Sequence, residues 1–564
     1  QLPGQVVVGI GVLLLLLIAV VFWTVKIIKI PYIPISDYLK RNSFPILCVS
    51  VLTLIMFTIW KFQSPYPLVL NWDIFEHQTL VNTILNQGKF SIIPSQVSDT
   101  FQFDAYSTLF HTLIATPQLL IAPDVLGFWW WLELLHLSTT IVVAYMLMWV
   151  VTKNKTVSLL AAIISALVFE SYIVYSSLFV VPQTIASVVA IGTLSWILKM
   201  LDDGTFRFIK VFPLFVFIIL MHYVIGSVAV LMLVTVILFK KTNLFANRVF
   251  YGVLLIALPL LVFGSLFAVT KIINFNSLNS GEAASFMHPL SKKIEFMQVF
   301  YGYSFFILLP FGAFVTFFKK NITLRILLVV LLIILAVVTS QIPYAFKFYV
   351  LGRYISHFIM AIGLTWFIEK IRFGRMKVLV TGLVMCMFIS LLILNARYWQ
   401  DSLQYNDAAT QIAPSEIEAA HILKEKYSGQ NVLLVSDPAT QYVLETVSGI
   451  NSAGGAYMRQ ETRHQLHLVS KATSAQDIRI FLSEIKDQVE PNTHTKILFV
   501  VSGRYTKWQS FDEKDKSNLS VNLWTPLNLS FRGFQYAEKL RNEFKFTEVY
   551  RNQTMVVFEI QRSI

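Results

Sequence analysis

Apolar runs of roughly twenty residues recur through the first 397 positions of this 564-residue chain. A backbone immersed in lipid can satisfy its own polar groups only as a helix or a closed barrel, and runs of that length are helical spans. They are read at 6–25, 44–60, 126–151, 157–176, 181–200, 209–221, 223–239, 249–271, 298–318, 323–340, 348–368 and 377–397. Only 14% of the residues are charged, where a water-soluble domain carries about 25%. Two cysteines, Cys48 and Cys386, lie in apolar runs and offer neither a disulfide framework nor a thiolate metal site.

Three stretches need arbitration. Residues 106–123 carry His111 and Pro117 and read as a helix lying against the outer surface. Residues 211–239 break at His222 into two short halves. Residues 157–200 are too long for one crossing and break between Glu170 and Pro182. Charge supports these choices. The loops 26–43, 152–156, 199–210, 240–248, 319–325 and 369–377 hold 19 Lys and Arg, while the opposite loops hold six over a longer stretch. Basic loops stay in the cytoplasm, so the N-terminus, the loop 61–125 and everything after the last span face outward. The first run lacks a basic start and is followed by Lys26 and Lys29, so it reads as a retained span.

The net charge of +13 resides entirely in this apolar part: residues 1–397 carry +14 and residues 398–564 carry −1. That distribution is the positive-inside pattern and excludes a nucleic-acid-binding face. From Tyr398 the composition becomes that of a globular domain. The runs NVLLVS, KILFVVS and TMVVFEI read as strands, and PSEIEAAHILKEKY and AQDIRIFLSEIKDQV as helices. The expected organisation is a polytopic α-helical membrane domain (residues 1–397, about twelve spans, outer loop 61–125 included) and an extracytoplasmic α/β domain (398–564). Ser436–Thr440 (SDPAT) reads as a strand end entering a capped helix. Sequons occur at Asn518, Asn528 and Asn552.

The 65-residue loop 61–125 holds NWDIFEHQTLVNTILNQGKF. Asp73, Glu76 and His77 stand at i, i+3 and i+4 on one helical face, and Leu80, Ile84 and Leu85 continue the stripe. A carboxylate at Asp73 is favoured by the helix dipole. By spacing alone the plainer account is a capped, solvated amphipathic helix. Asp99, Asp104, Tyr106 and His111 follow. Ionisable side chains inside spans are costly and mark function. Glu133 and His136 (i, i+3), Glu170, His222, and Arg353 with His357 all fall in the outward half of their spans. The structural alternative is pairwise neutralisation, Arg353 with Glu133 or Glu170.

These residues bring a resemblance with them. WDIFEH in a first outer loop, then FDAYSTLFHTL, a helix pair broken at LMHYVIGS, a late span opening with GRY and an outward domain ending in VYRNQTMVVFEI are similar to the GT-C fold of integral membrane glycosyltransferases. These enzymes use polyprenyl-phosphate-linked sugars. The likeness runs loosely over nearly the whole chain, and the order of its elements carries it. It implies a multi-pass cell-membrane enzyme that moves a sugar from such a donor to an extracytoplasmic glycan, lipid or protein. Asp73 and Glu76 would be catalytic. Arg353, His222 and Tyr354 would bind the donor phosphate, with His77, Asp104, Glu133, Glu170 and His357 as further site candidates. A divalent cation (Mg or Mn) would be held by Asp73 and Glu170. The chain lacks a DxD pair and a WWDYG motif, so it departs from the oligosaccharyltransferase catalytic subunit.

The chemistry agrees: glycosyl transfer from a lipid phosphate needs a base at the acceptor hydroxyl and a cation on the leaving phosphate. The expectation is that Asp73 and Arg353 face one outer cavity. A proton-coupled transporter is the main alternative; it lacks an internal repeat and has little use for a long acidic loop and an outer domain. A non-catalytic GT-C-like scaffold of an envelope complex is the third.

Overall fold

The computed structural model describes residues 73–87, 108–121, 125–167, 180–242, 305–339, 348–371, 414–453, 460–489, 496–505 and 534–560, with a few residues within 47–58, 252–257 and 374–383. They divide into two compact units. One draws on residues 64–131 and 401–564, the other on 13–63 and 132–400.

The first unit holds α1 (Asp73–Gln87), α2 (Thr108–Ile121) and the opening of α3 (Val125–Thr152). It also holds the sheet that the C-terminal runs build. β1 (Val432–Val435), β2 (Lys496–Ser502), β3 (Thr547–Arg551) and β4 (Met555–Ile560) are ordered β1-β2-β4-β3. β1 and β2 are parallel, with Leu434 opposite Leu498; β4 runs antiparallel to both β2 and β3. The continuous apolar composition of β1, β2 and β4 follows from burial on both faces. Leu433, Phe499, Val501, Val556 and Phe558 pack on Leu466, Ile478, Leu482 and Leu540. The last four belong to the helices Gln460–Lys471, Ala475–Val489 and Phe534–Asn542. A buried ion pair joins Arg504 to Glu416, its two nitrogens 3.1 and 3.2 Å from the carboxylate oxygens. Such a bidentate fork satisfies both charges out of water.

SDPAT does what its composition asks. Asp437 caps the helix Pro438–Ser448 (called αC below) by accepting from the Thr440 N–H at 3.0 Å. Pro438 occupies the first turn, and Gly449 ends the helix at φ +74°, a conformation glycine tolerates without a Cβ penalty. αC packs against α1. The Asn552 side chain is committed to the β3–β4 turn, donating to the Ser415 carbonyl at 2.7 Å and accepting from the Thr554 and Met555 N–H groups. The other two sequons lie outside the described residues.

The second unit is helical. It comprises the rest of α3, α4 (Lys155–Leu167), α5 (Pro182–Asp202), α6 (Phe208–Met221), α7 (Tyr223–Thr242), α8 (Phe305–Phe318), α9 (Ile322–Thr339) and α10 (Tyr349–Lys370). Five described helices, α3, α5, α7, α9 and α10, are long and apolar enough to cross a membrane. With this composition the protein is a membrane protein. α4, α6 and α8 are shorter apolar helices where spans are read at 157–176, 209–221 and 298–318. The runs 6–25, 44–60, 249–271 and 377–397 lie wholly or largely outside the described residues.

The expected breaks are present. α4 ends at Leu167 and α5 begins at Pro182. α6 and α7 are separated by His222 alone, whose Nδ1 accepts from the Ile225 N–H at 3.2 Å and so caps α7. Beside it Gly226 lets the two helices touch, since a Cβ there would meet the Ile218 carbonyl at 2.2 Å.

α10 is buried without interruption from Tyr349 to Thr365. It packs on α4, α5, α8 and α9, and a helix apolar on every side needs such cover. Where it crosses α8, Gly312 and Gly363 meet: a Cβ on Gly312 would come within 2.1 Å of the Ile359 carbonyl. Small residues at a crossing allow this approach in the absence of a hydrophobic driving force between lipid-solvated helices.

Candidate functional site

Two polar constellations stand out, one in each unit. In the first unit α1 is a helix as the spacing requires, with Asp73 as its first residue and Glu76 as its fourth. It is not solvated. Ile74, Phe75, His77, Gln78, Thr79, Leu80 and Val81 are all buried, which corrects the plainer expectation. The cover comes from α2 and αC. Asn82 donates to the Glu445 and Thr446 carbonyls of αC at 3.2 Å each, and the Thr446 hydroxyl donates to the Phe75 carbonyl at 3.3 Å.

Toward α2, His77 Nδ1 lies 3.0 Å from His111 Nε2, with Phe110 edge-on to both rings. Gln78 and Gln118 exchange two amide hydrogen bonds of 2.8 Å, and the Trp129 indole N–H donates to the Gln78 carbonyl oxygen at 2.7 Å. Gln78 also donates to Asn82. Periodicity draws attention to His77; the partners Gln78, Gln118 and Trp129 carry no motif, and only their buried convergence reveals them.

On αC, Glu445 is buried with Ser452, whose hydroxyl donates to the carboxylate. Burial pushes this carboxyl up to about 7, and the Ser452 hydrogen bonds offset part of the rise.

In the second unit the constellation belongs to α10, α4 and α3. Arg353 and His357 are one turn apart and both buried. Arg353 Nη2 donates to the Ser165 carbonyl at 3.3 Å, and His357 Nδ1 lies 3.3 Å from the Ser165 hydroxyl. Ser356 back-bonds to the Arg353 carbonyl at 2.7 Å. Tyr354 is buried beside Thr140 of α3. His136 of α3 and His357 are both within electrostatic reach of Arg353.

Glu133 is 1% exposed and neither of its oxygens has a hydrogen-bond partner. The alternative reading, neutralisation of Arg353 by Glu133, is therefore not borne out. Glu170 and Asp104 lie outside the described residues. His222, the other phosphate-site candidate, is half-buried and spends its Nδ1 on capping α7.

Among the described residues no three His, Cys, Asp or Glu side chains come together as ligands for a metal ion.

No protein-family profile matches the chain, and no curated protein matches its sequence. Solved structures do match. The archaeal oligosaccharyltransferase AglB from Archaeoglobus fulgidus, in complex with an inhibitory peptide and a dolichol-phosphate, is similar at a TM-score of 0.52 and 10% identity, over 82% of this chain and 70% of that one. ArnT from Cupriavidus metallidurans, bound to undecaprenyl phosphate, aligns over 92% of this chain and 98% of its own, with a TM-score of 0.49 and 11% identity. An Archaeoglobus fulgidus oligosaccharyltransferase in complex with Zn and sulfate aligns at 0.49 and 11%, over 81% of this chain and 68% of that one. At such identities likeness concerns fold. The first match shows a shared architecture, the GT-C type that the order of sequence elements implies.

Proposed function

We propose that the protein is a membrane glycosyltransferase that moves a sugar from a polyprenyl-phosphate donor to an extracytoplasmic glycan, lipid or protein. The observation that carries this reading is the fold shared with AglB, a transferase solved with a dolichol-phosphate. The buried Arg353 supports it, since a cation held inside an apolar bundle suits an anionic lipid head group.

In this reading Asp73 takes the proton of the acceptor hydroxyl, with Glu76 beside it on α1. The freed oxygen attacks the anomeric carbon, a new glycosidic C–O bond forms, and the anomeric C–O bond to phosphate breaks. The electron pair leaves on the polyprenyl phosphate. Arg353 takes that phosphate, its planar fork matching two oxygens at once; Tyr354 adds a hydroxyl donor. The alternative role for Asp73 is that of a metal ligand: with Glu170 it would hold a divalent cation, which would supply positive charge for the leaving group. The topology is twelve spans within residues 1–397, with the loop 61–125 and the domain 398–564 outside.

The test is reconstitution in liposomes with a radiolabelled polyprenyl-phosphate hexose and mixed envelope acceptors. The expected result is label transfer with release of free polyprenyl phosphate. Asp73→Asn should keep donor binding and lose turnover by about 100-fold, the range for a positioned base. Gradient-driven uptake without transfer would overturn the reading in favour of a transporter. In whole cells a cysteine at position 470 should react with an impermeant thiol reagent and one at 373 should not; the reverse would invert the topology.

A further inference from the structure

Three residues of α3 form one stripe: Glu133, His136 and Thr140, at i, i+3 and i+7. All three are at least nine-tenths buried. Glu133 and His136 carry buried polar atoms without a hydrogen-bond partner, both carboxylate oxygens of the one and Nδ1 of the other, while the Thr140 hydroxyl meets that of Tyr354. The hydroxyl is informative because its neighbours behave otherwise. Ser138 and Thr139 back-bond to the Leu134 and Leu135 carbonyls at 2.8 and 2.7 Å, as hydroxyls in apolar helices do. Thr140 forgoes that bond and turns to Tyr354 of α10. Buried polar groups are almost always paired, and the unpaired atoms of Glu133 and His136 need a reason.

The stripe faces one turn of α10. Thr140 lies beside Tyr354, and His136 is within electrostatic reach of Arg353. The chemistry on offer is that of a hydroxyl-rich, uncharged group. A carboxyl, an imidazole and a hydroxyl supply donors and acceptors together, as the hydroxyls of a sugar require, whereas a phosphate diester only accepts.

We infer that Glu133, His136 and Thr140 bind the sugar of the lipid-linked donor, while Arg353 takes its phosphate. This rests on the glycosyl-transfer reading. The stripe selects sugar-bearing lipid over bare lipid phosphate.

The test uses the full chain in nanodiscs and two kinds of probe, polyprenyl phosphate and its glucosyl and mannosyl esters. Wild type should bind one of the hexosyl lipids more tightly than the bare lipid. Glu133→Leu and Glu133→Gln should each lose about tenfold of that preference, the size of one lost hydrogen bond, and leave bare-lipid binding unchanged. The melting temperature of Glu133→Leu should rise, because a buried carboxyl without a partner opposes folding. A structural Glu133 would lower it.

Unchanged hexosyl-lipid preference in both variants would overturn the sugar assignment alone. So would an equal loss of bare-lipid binding, or a wild type that binds both lipid kinds equally. Failure of wild type to bind either lipid would overturn the donor reading as well.

Discussion

Gln78 of α1 and Glu133 of α3 are both buried polar side chains on helices of an apolar protein, and they are treated in opposite ways. Gln78 has every hydrogen-bonding group engaged, by Gln118, Trp129 and Asn82. Glu133 has none engaged. A closed polar network is architecture: it specifies how α1, α2 and the start of α3 pack, and offers a ligand nothing. An open one costs stability and is retained for what it can bind. Glu445 lies between the two, with Ser452 as its donor.

The sharpest way to break the comparison is to open the closed network. Gln78→Leu would strand the Trp129 indole N–H and the Gln118 amide, and should destabilise the protein by about 3 kcal/mol, since each abandoned buried group costs 1–3 kcal/mol. The double variant with Gln118→Leu should cost less than the sum of the single changes, because neither amide is then left alone. Thermal unfolding in detergent measures both. Strict additivity would mean that the amide pair is not a unit.

Glu445 gives a smaller effect, visible as a slope. Its folded carboxyl titrates at about 7, above the ordinary carboxylate value. The folded state thus holds its proton more tightly than the unfolded chain. The associated stability is full below about pH 4.5 and is lost as pH rises through about 7. Wild type should therefore unfold more easily at pH 8 than at pH 5, and Glu445→Gln should flatten this dependence. A slope unchanged in the variant would assign the titration elsewhere.

The smallest effect is expected at Thr140. Its hydroxyl has Tyr354 alone as partner, so Thr140→Val should cost no more than about 1 kcal/mol, the net worth of one hydrogen bond. A loss as large as that of Gln78→Leu, about 3 kcal/mol, would erase the contrast with Gln78.

Local features were legible residue by residue. The helix over Asp73–Gln87, the break at His222, the gap before Pro182 and the runs that became β1, β2 and β4 follow from periodicity, length and turn chemistry. β3 (Thr547–Arg551) was not distinguished, because TEVYR is half polar and only its pairing with β4 makes it a strand. The candidate site was legible in part. Asp73, Glu133 and Arg353 announce themselves as ionisable groups in apolar or amphipathic settings. Gln78, Gln118 and Thr140 do not, since an amide or a hydroxyl is ordinary in any helix.

What the sequence by itself determined is the solvent of each segment and the period of its structure. Hydropathy and helical spacing are properties of neighbours along the chain. What only the tertiary structure decided is which polar groups are paired. The helix α1 reads as solvated until αC, more than 350 residues later, packs on it at Phe75 and Asn82. Arg353 and Glu133 read as partners by charge until the guanidinium turns to the Ser165 carbonyl. Hydrogen bonds act over about 3 Å and demand direction, so whether a buried group is satisfied depends on residues brought together by folding, whose separation along the chain carries no signal.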